Sequence, residues 1–363
     1  MADLLAIANQ FTPSKEVMEI QPWGDGNVND TFLVSLDNPE SSFILQRINT
    51  QVFRQPELVM QNLRVCTKHI SQRLAAMSLN QEKRWEVPEV QLTQDGRDGY
   101  VDSEGDFWRG LSFIKGRCFN TIANTDLAKE VGYALGMFHN FLSDLPTEKL
   151  ADTLPGFHIT PLYLKQYDEV LVKGKIPNSV EVEYCLKFIG DRRAWVNVLE
   201  KAKEQGKLPL RSIHGDPKVN NIMVDDATGQ AISIIDLDTV KPGLVHYDIG
   251  DCLRSGCNPV GEETQDWQGV HFETDLCQAL LQGYLPLAKG FLQDNDYEYI
   301  YDAIRLITLE LGLRFFSDYL AGNVYFKVQY PEHNLSRALV QFKLTESIES
   351  QDSTIKAIID DLK

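Results

Sequence analysis

Cysteine, long apolar runs and basic residues are all scarce in this sequence of 363 residues, and each scarcity excludes a class of protein. No cysteine lies in a CxxC pair, so the spacing predicts neither a zinc site nor a disulfide framework. The six are Cys66, Cys118, Cys185, Cys252, Cys257 and Cys277. Free thiols are typical of a reducing compartment and predict a cytoplasmic protein. No run of about 18 apolar residues occurs, and the N-terminus has no basic region ahead of an apolar core, so we expect neither a spanning helix nor a signal peptide.

The balance of charge is acidic, with 35 basic against 52 acidic residues and a formal net charge of −17. Phosphate backbones and anionic membranes need a basic face, so we expect neither nucleic acid nor a membrane as a partner. Apolar residues make up 43% and charged residues 24%, which is an ordinary globular composition. The length is sufficient for two lobes that each have a core.

The pattern of apolar residues changes from β-rich to helical near residue 115. Before it, "EIQPWGDGNVNDTFLVSL" and "SSFILQRIN" alternate as strands do, and residues 57 to 77 carry one helical apolar stripe. After it, helices are predicted over residues 126 to 145 and 301 to 321, with Gly322 beyond the second as its C-cap. The sequence therefore predicts an α+β protein with an N-lobe of residues 1–114 and a mainly helical C-lobe of residues 115–363.

The stretch "SIHGDPKVNNIMVDD" crowds polar residues ahead of a short strand in the predicted C-lobe. Read onward, "IMVD" and "AISIID" form two strands joined by the turn "DATG", which predicts a hairpin. An antiparallel hairpin brings Asn221, before its first strand, beside Asp236, at the end of its second. Asp216 precedes Asn221 by five residues, so three oxygen-bearing side chains converge. Such hard ligands suit Mg²⁺ held largely by phosphates and water.

The same stretch matches the phosphotransferase template H-x-D-x-x-x-x-N through His214, Asp216 and Asn221. In that interpretation Asp216 accepts the proton of an acceptor hydroxyl, and Asn221 and Asp236 hold Mg²⁺ across the phosphates of ATP. Lys218 reaches the transferred phosphate as a point charge, and His214 orients the loop backbone. The alternative is a polar loop that caps a hairpin, although the joint pattern of loop, hairpin and terminal Asp is harder to obtain by chance.

A nucleotide site is predicted from two further stretches. "WGDGNVNDTFLV" places Gly24 and Gly26 in a turn between strands, where backbone N–H groups can approach phosphates. The alternative is an ordinary hairpin turn that binds no ligand. "LSFIKG", with Phe113 and Ile114, ends the predicted N-lobe and is interpreted as the hinge beside adenine.

Two aspartates in "HYDIGDCLR", Asp248 and Asp251, are candidates for structural support of the loop. We expect one of them to accept hydrogen bonds from the loop backbone rather than to act in catalysis. Asp238 could assist the metal, but strand alternation points it away from Asp236.

The strings "HGDPKVNNIMVD", "IIDLDTV" and "YDIGD" resemble the aminoglycoside phosphotransferase and choline kinase superfamily. Further strings, including "ILQRINTQVF", "LRFFSDYLAGNVYF" and "YPEHNLSRALVQFKL", are similar to its N-acetylhexosamine 1-kinase branch. The likeness covers about residues 20 to 345. It implies a bilobal protein-kinase-like fold and an ATP- and Mg²⁺-dependent transfer to the anomeric hydroxyl of a free sugar.

By position, the resemblance implies that Asp216 is the base, and that Arg314 and Tyr325 line the sugar pocket. Two structural alternatives stay open for the pocket residues. Arg314 stands four residues from both Glu310 and Asp318 and could pair with them along a helix. Tyr325 could be a core aromatic residue with its hydroxyl satisfied.

This sequence departs from the family pattern at three positions. Gln46 stands where the superfamily usually has a Lys or Arg for the nucleotide phosphates, and Arg47 points to the other face of its strand. Asn27 replaces an expected His near the sugar, and Ser255 replaces an expected aromatic residue of the sugar pocket. The last two departures bear on which hexose, or which other alcohol, is the acceptor.

Two other functions compete with the sugar kinase. A kinase of choline, an aminoglycoside or another amino alcohol is compatible with the acidic surface, but choline needs an aromatic cage, for which only Trp267 and Phe272 are candidates. A nucleotide-binding pseudokinase is the third possibility, and the intact Asp216, Asn221 and Asp236 argue against it.

Overall fold

The computed structural model describes residues 3–12, 16–24, 28–38, 41–77, 84–173 and 176–363. The first part of the chain forms an antiparallel sheet with two helices. Its strands are β1 (Val17–Pro22), β2 (Asp30–Leu36), β3 (Phe43–Ile48), β4 (Val90–Gln91), β5 (Tyr100–Val101) and β6 (Phe107–Ser112). Within the described residues they pair in the order β1-β2-β3-β6-β4, and β5 also pairs with β6. The helices are α1 (Leu4–Asn9) and α2 (Pro56–Ala76).

The two faces of this sheet pack against different partners. Alternate residues of β2, β3 and β6 on the outer face form a small core with α1; they include Val34, Leu36, Phe43, Leu45 and Trp108. Thr31, Gln46 and Arg109 are cross-strand neighbours on the inner face, which looks toward the rest of the molecule. The period of two along each strand produces this division.

The rest of the chain is mainly helical. Its helices are α3 (Thr125–Leu142), α4 (Thr160–Lys173), α5 (Val180–Arg192), α6 (Val198–Glu204), α7 (Val245–Gly256), α8 (Thr274–Ala288), α9 (Asp294–Glu298), α10 (Ile300–Leu320), α11 (His333–Ser350) and α12 (Asp352–Leu362). Two short pairs of strands are inserted among them: β7 (Arg211–Ile213) with β10 (Lys241–Gly243), and β8 (Ile222–Val224) with β9 (Ala231–Ile234).

The main core joins these helices to α2. Val59, Leu63 and Ile70 of α2 are buried in the same apolar cluster as α3, α7, α8, α10 and α11. Helices α3 and α8 cross with their backbones almost in contact, since a Cβ on Gly132 would lie 1.9 Å from the carbonyl oxygen of Leu280. Glu130 of α3 accepts a hydrogen bond from the backbone N–H of Ala231, which holds the hairpin against this helix pair.

The predicted α+β fold class is confirmed: an antiparallel sheet with two helices precedes a mainly helical lobe. The predicted helices over 57–77, 126–145 and 301–321 correspond to α2, α3 and α10, with ends that differ by one to three residues. Gly322 follows α10 with φ +92°. The boundary after residue 114 stays a prediction.

Within the described residues, none of the helices has both the length and the apolarity needed to cross a membrane.

Candidate active site

The loop between β7 and β8 is held by a buried carboxylate. Asp248 of α7 accepts hydrogen bonds from the backbone N–H groups of His214 (2.7 Å) and Gly215 (2.8 Å), and His139 contacts the same carboxylate at 2.8 Å. Burial alone would raise the pKa of Asp248, but the hydrogen bond and charge of His139 outweigh it and lower the pKa. Gly215 has φ +89°, and a Cβ there would lie 2.7 Å from the carbonyl oxygen of Thr239. The loop therefore has little freedom to change shape.

His214 ties the loop to the hairpin rather than facing the cleft. It is fully buried, and burial lowers the pKa of its imidazole, so the ring is neutral. Its Nδ1 accepts the backbone N–H of Asp216 at 3.2 Å, and its Nε2–H donates to the carbonyl oxygen of Ile235 at 2.9 Å. Both contacts orient backbone, which is the role that the sequence predicted for this residue.

Asp216, Lys218 and Asn221 meet at the open side of the loop. Lys218 Nζ lies 3.2 Å from Asp216 Oδ2, and this carboxylate raises the pKa of Lys218 against the effect of burial. Asn221 Nδ2 donates to the backbone oxygen of Asp216 at 2.7 Å and lies 3.3 Å from Asp216 Oδ2. With its amide nitrogen committed, Asn221 keeps Oδ1 free of hydrogen bonds from the part of the chain that the structure describes.

The hairpin brings Asp236 to the same end as Asn221. Ile222 pairs with Ile234, and the N–H of Ile235 donates to the carbonyl oxygen of Asn221, so Asp236 follows directly. Asp236 has φ +63°, an unfavourable backbone conformation for a non-glycine residue and one that clusters at functional sites. Its side chain accepts no hydrogen bond from any described residue. It is open to solvent but lies in a cleft with protein around it, and this burial, with the charges of Asp238 and Asp216, raises its pKa to about 7.

These oxygens fit a divalent cation shared with phosphate groups. The free Oδ1 of Asn221 and the carboxylate of Asp236 are hard ligands, and the raised pKa of Asp236 shows that this position favours added positive charge. Among the described residues there is no group of three or more His, Cys, Asp or Glu side chains that could hold a metal by themselves. Mg²⁺ commonly completes its shell with phosphate oxygens and water, so the two-ligand set is adequate.

Residues predicted for the nucleotide lie along the edge between the sheet and the hairpin. Gly24 has φ +72°, whereas Gly26 and Asn27 fall outside the described residues. Trp23 packs edge-on against Phe113, with ring centroids 5.7 Å apart. Ile114 is buried with Met223 and Ile232 of the hairpin in a small apolar cluster. The sequence patterns did not identify Trp23 and Met223 as candidates for the nucleotide site. Trp23 directly precedes Gly24, and Met223 lies in the first strand of the predicted hairpin.

Gln46 points into the inner face of the sheet, and its partner there is an arginine that the sequence did not single out. Its Oε1 accepts two hydrogen bonds from Arg109 of β6, at 2.9 and 2.7 Å. Arg47 lies on the outer face, where it pairs with Asp30 and Asp106. The pairing of β3 with β6 was the missing information, because the spacing along the chain gives no indication of it.

A cavity of about 420 Å³ lies beside the loop, between α4 and α10. Its wall includes Gly156, Phe157, Tyr163, Arg314, Tyr325 and Phe326. His158, next to Phe157, contacts the carbonyl oxygen of Gly215 at 2.6 Å, which fixes this wall to the loop. Both substrate residues implied by the resemblance at the C-terminal end therefore line one cavity near Asp216.

Arg314 lies among aromatic rings rather than beside a carboxylate. Its guanidinium carbon is 5.1, 5.0 and 5.5 Å from the ring centroids of Phe157, Tyr163 and Phe326. Pairing along the helix does not occur, because both neighbouring carboxylates have other partners. Glu310 contacts His158 and accepts from Thr160, and Asp318 accepts from the backbone of residues 324–326 and from Asn334. Arg314 makes no hydrogen bond to any described residue, so its N–H groups are available to a ligand.

The remaining predicted residues divide between the cavity mouth and structural positions. Tyr325 is 52% exposed, so it is not a core residue. Ser255 accepts the backbone N–H of Val219 and donates to the oxygen of Cys252; it supports the loop and is not part of the cavity wall. Asp251 pairs with Arg254 instead of with the loop.

The two residues considered for a choline cage lie elsewhere. Phe272 is buried in the main core at 1% exposure, and Trp267 packs against Tyr184 with ring centroids 5.7 Å apart. Neither contributes to the wall of the cavity. These two candidates therefore do not form an aromatic cage at this cavity.

Comparisons with known proteins agree with this geometry. A family model described as "Phosphotransferase enzyme family" matches residues 19–289, more than half of the chain and the whole of the loop and hairpin. An aminoglycoside phosphotransferase from Alicyclobacillus acidocaldarius is similar over 98% of this chain and 96% of its own, at 12% identity and a TM-score of 0.65. A choline kinase from Cryptosporidium parvum covers 93% and 91% (16% identity, TM-score 0.58), and an ethanolamine kinase from Plasmodium vivax covers 91% and 83% (15%, 0.56). At these identities the likeness is one of fold.

Proposed function

The chain belongs to the phosphotransferase enzyme family, and from this membership we propose that it is an ATP- and Mg²⁺-dependent kinase of a free sugar. The acceptor in this proposal is the anomeric hydroxyl of a hexose or N-acetylhexosamine, and the product is the sugar 1-phosphate. The observation that carries the choice of acceptor is Arg314, a cation without a carboxylate partner among the described residues, in an aromatic-walled cavity that His158 connects to the loop through Gly215.

The loop supplies the groups that phosphoryl transfer needs. Asp216 Oδ2 has polar contacts with Lys218 and Asn221 among the described residues, and this carboxylate accepts the proton of the acceptor hydroxyl. Asn221 and Asp236 hold Mg²⁺, which neutralises charge on the phosphates when bound. Lys218, beside Asp216, places a positive charge where the transferred group passes between nucleotide and acceptor. Asp248 and His214 keep these groups in position through the loop backbone.

The nucleotide has a matching site on the sheet side. The turn at Gly24 allows backbone N–H groups to approach phosphates. The ring pair of Trp23 with Phe113 and the apolar cluster that contains Ile114 and Met223 offer apolar surfaces for adenine. This arrangement keeps the role predicted for the hinge residues and extends it to two neighbours.

A neutral polyhydroxyl acceptor suits the cavity better than a cation. A guanidinium has five N–H donors, and sugar hydroxyls are acceptors for them. Choline, ethanolamine or an aminoglycoside would bring a positive charge close to Arg314, and like charges at a desolvated contact are repulsive. The three rings near Arg314 are already occupied by its own cation–π contacts.

The anomeric position rests on the sequence resemblance to the N-acetylhexosamine 1-kinase branch. The strings around "DYLAGNVYF" contain Tyr325, which lies at the mouth of the cavity. An exposed aromatic ring there can stack on the apolar face of a sugar.

All six cysteines are free thiols, which supports the cytoplasmic location proposed from the sequence.

The second candidate is a kinase of an amino alcohol. The similar structures include a choline kinase and an ethanolamine kinase, and the net charge of −17 is compatible with a cationic acceptor. A pseudokinase is disfavoured by the complete set of Asp216, Asn221 and Asp236.

An ADP-release screen decides among these functions. It compares free hexoses, N-acetylhexosamines, choline, ethanolamine and aminoglycosides in the presence of Mg²⁺, with the methyl glycoside of each active sugar as a control. We expect turnover of a free sugar and none of its methyl glycoside, which lacks the anomeric hydroxyl. Equal turnover of both would refute the anomeric assignment, and turnover of choline or ethanolamine alone would establish the second candidate.

A further inference from the structure

The inner face of strand β3 lacks the cation that a nucleotide site in this fold would be expected to use. Thr31, Gln46 and Arg109 are cross-strand neighbours on the inner face of the sheet. Among the inward-facing residues of β2, β3 and β6, Arg109 is the only cation, and its side chain is 1% exposed. The positive charge of this face therefore comes from β6, the strand that pairs with β3, and not from the position of Gln46 in β3.

Gln46 fixes the direction of this arginine. Its amide nitrogen donates to Thr31 Oγ1 at 3.0 Å, which orients the amide oxygen toward Arg109. That oxygen accepts from both Nε and Nη2 of Arg109, at 2.9 and 2.7 Å. A bidentate contact of this kind holds the guanidinium plane, so its remaining nitrogen, Nη1, has a defined direction.

The remaining nitrogen of Arg109 reaches the other lobe. Nη1 lies 2.6 Å from Oδ1 of Asp238, and both side chains are at least 98% buried. Neither atom has a well-aligned hydrogen bond, so the contact is one of charge. Asp238 lies two residues after Asp236, in a tight 3₁₀ turn that Asn62 of α2 braces by donating to Val240.

Asp238 also contacts the turn that precedes β2. Its Oδ2 accepts from Asn29 Nδ2 at 2.7 Å, and Asn29 in turn accepts the backbone N–H of Asn49. Asn29 directly precedes β2. Asp238 is thus bound by two residues of the sheet lobe, Asn29 and Arg109, and lies two residues after Asp236.

We propose that Arg109 takes the place of the missing β3 cation as a positioning residue: with Gln46 and Asp238 it ties the sheet to the Asp236 segment and sets the geometry of the Mg²⁺–nucleotide site. Asp238 is then a partner of Arg109 and Asn29 and not a metal ligand. This inference rests on the proposed function, since it assigns Asp236 to Mg²⁺. It explains how a chain with Gln46 at the β3 position can still align a nucleotide.

The test measures binding of ADP by titration calorimetry, with and without Mg²⁺, and thermal melting of each variant. Arg109→Met should weaken Mg²⁺-dependent binding about 10- to 100-fold, as expected for residues that orient a metal ligand, with a smaller effect in the absence of Mg²⁺. Arg47→Met is the matched control: it removes the same charge from the outer face of the neighbouring strand and should leave binding within about twofold.

A second-site variant separates the role of the charge from that of the fold. Gln46→Lys in the Arg109→Met background returns a cation to the inner face one strand away, and it should recover most of the lost affinity. If Arg109→Met does not fold, Arg109→Lys takes over the test, since it keeps the charge but loses the bidentate contact. Weaker Mg²⁺-dependent binding with an unchanged melting temperature supports the inference.

Three results would overturn or redirect the proposal. Unchanged Mg²⁺-dependent binding in Arg109→Met, or in Arg109→Lys where that variant is used, refutes the inference. Failure of Gln46→Lys to restore any affinity refutes the replacement of the β3 cation. If the unsubstituted protein itself does not bind Mg²⁺ and ADP, the proposed function fails, which is a different outcome from failure of the inference alone.

Discussion

Asp216 differs from the other carboxylates of the cleft in what its side chain contacts. Asp248 is committed to backbone N–H groups and Asp238 to Arg109, whereas the polar contacts of the Asp216 carboxylate with described residues are those to the side chains of Lys218 and Asn221. A carboxylate in that position is available to an incoming hydroxyl. These contacts, together with the template, support the proposal that Asp216 is the base.

Replacing Asp216 with Asn should lower kcat by about 10²- to 10⁴-fold, since the amide keeps the shape but cannot accept the proton. Binding of ADP with Mg²⁺ should persist, because Asn221 and Asp236 are unchanged. Steady-state rates and titration calorimetry measure the two effects. Asp226→Asn is the control, since Asp226 lies in the exposed hairpin turn. If Asp216→Asn keeps more than about a tenth of the rate with chemistry limiting, the assignment is wrong.

Replacing Arg314 with Ala should reduce kcat/KM for the sugar by about 10²-fold, or about 3 kcal/mol, because a charged donor to the bound sugar is lost. The KM for ATP should hardly change. Arg305→Ala on the same helix is the control: Arg305 pairs with Asp302 and stacks on Trp195, away from the cavity wall. Loss of melting temperature without loss of kcat/KM would assign Arg314 to stability alone.

At the scale of elements, the loop depends on helices that lie far from it in sequence. His158 links α10 to the loop, because its Nδ1 contacts Glu310 at 3.0 Å and its Nε2 contacts the oxygen of Gly215 at 2.6 Å. Both partners are acceptors, so both ring nitrogens need a proton. Burial lowers the pKa of His158, but the charge and hydrogen bond of Glu310, with Asp251 and the Gly215 carbonyl, raise it overall.

This raised pKa predicts how His158 affects stability with pH. The folded state binds the proton more tightly than the unfolded state, so the contribution is complete below the unfolded pKa of about 6.5 and disappears as pH rises through the folded pKa. The difference in unfolding free energy between the protein and His158→Gln should therefore be largest at acidic pH and shrink at alkaline pH. Urea unfolding across that range measures it. A difference that is constant with pH would show that the pKa of His158 is the same in the folded and unfolded states, and a difference that grows with pH would show that folding keeps the imidazole neutral.

The close crossing of α3 and α8 makes a second prediction for elements. Gly132→Ala places a Cβ against the carbonyl of Leu280 and should destabilise the protein by about 1–3 kcal/mol, because two packed backbones must separate. Gly190→Ala in α5 meets nothing within 4 Å and should be neutral or stabilising by up to about 1 kcal/mol. Urea unfolding compares the two. Equal effects would show that the helix crossing tolerates a side chain.

At the scale of the molecule, the candidate nucleotide site lies where the sheet meets the helical lobe. The turn at Gly24 and the rings of Trp23 and Phe113 belong to the sheet side, and Asn221 and Asp236 belong to the hairpin. A ligand that contacts both sides stabilises their arrangement, because it binds the folded state and not the unfolded chain.

Saturating Mg²⁺ and ADP should therefore raise the melting temperature, by an amount that corresponds to about 2.7 kcal/mol when the free ligand is 100 times its Kd. Asp236→Asn should remove the part of the shift that depends on Mg²⁺ and leave the part due to ADP alone. Differential scanning fluorimetry with and without EDTA separates them. A full Mg²⁺-dependent shift in Asp236→Asn would exclude Asp236 as a metal ligand.

The sequence alone determined what is local in the chain. The period of apolar residues located α2, α3 and α10, because a helix or strand repeats its environment every few residues. The template from His214 to Asn221 and the hairpin that carries Asp236 could be read directly, because their residues are neighbours in sequence. The same patterns predicted a β-rich first lobe and a mainly helical second lobe.

The tertiary structure decided which residues from separate elements meet. The sequence placed Gln46 where a cation was expected, but only the pairing of β3 with β6 and the closure of the lobes set Arg109 between Gln46 and Asp238. The sequence also left open whether Arg314 pairs with Glu310 or Asp318. In the folded chain both carboxylates bind other partners. Local patterns record which face of an element is buried, whereas the partner across that face depends on how distant elements pack, and no short stretch of sequence contains that information.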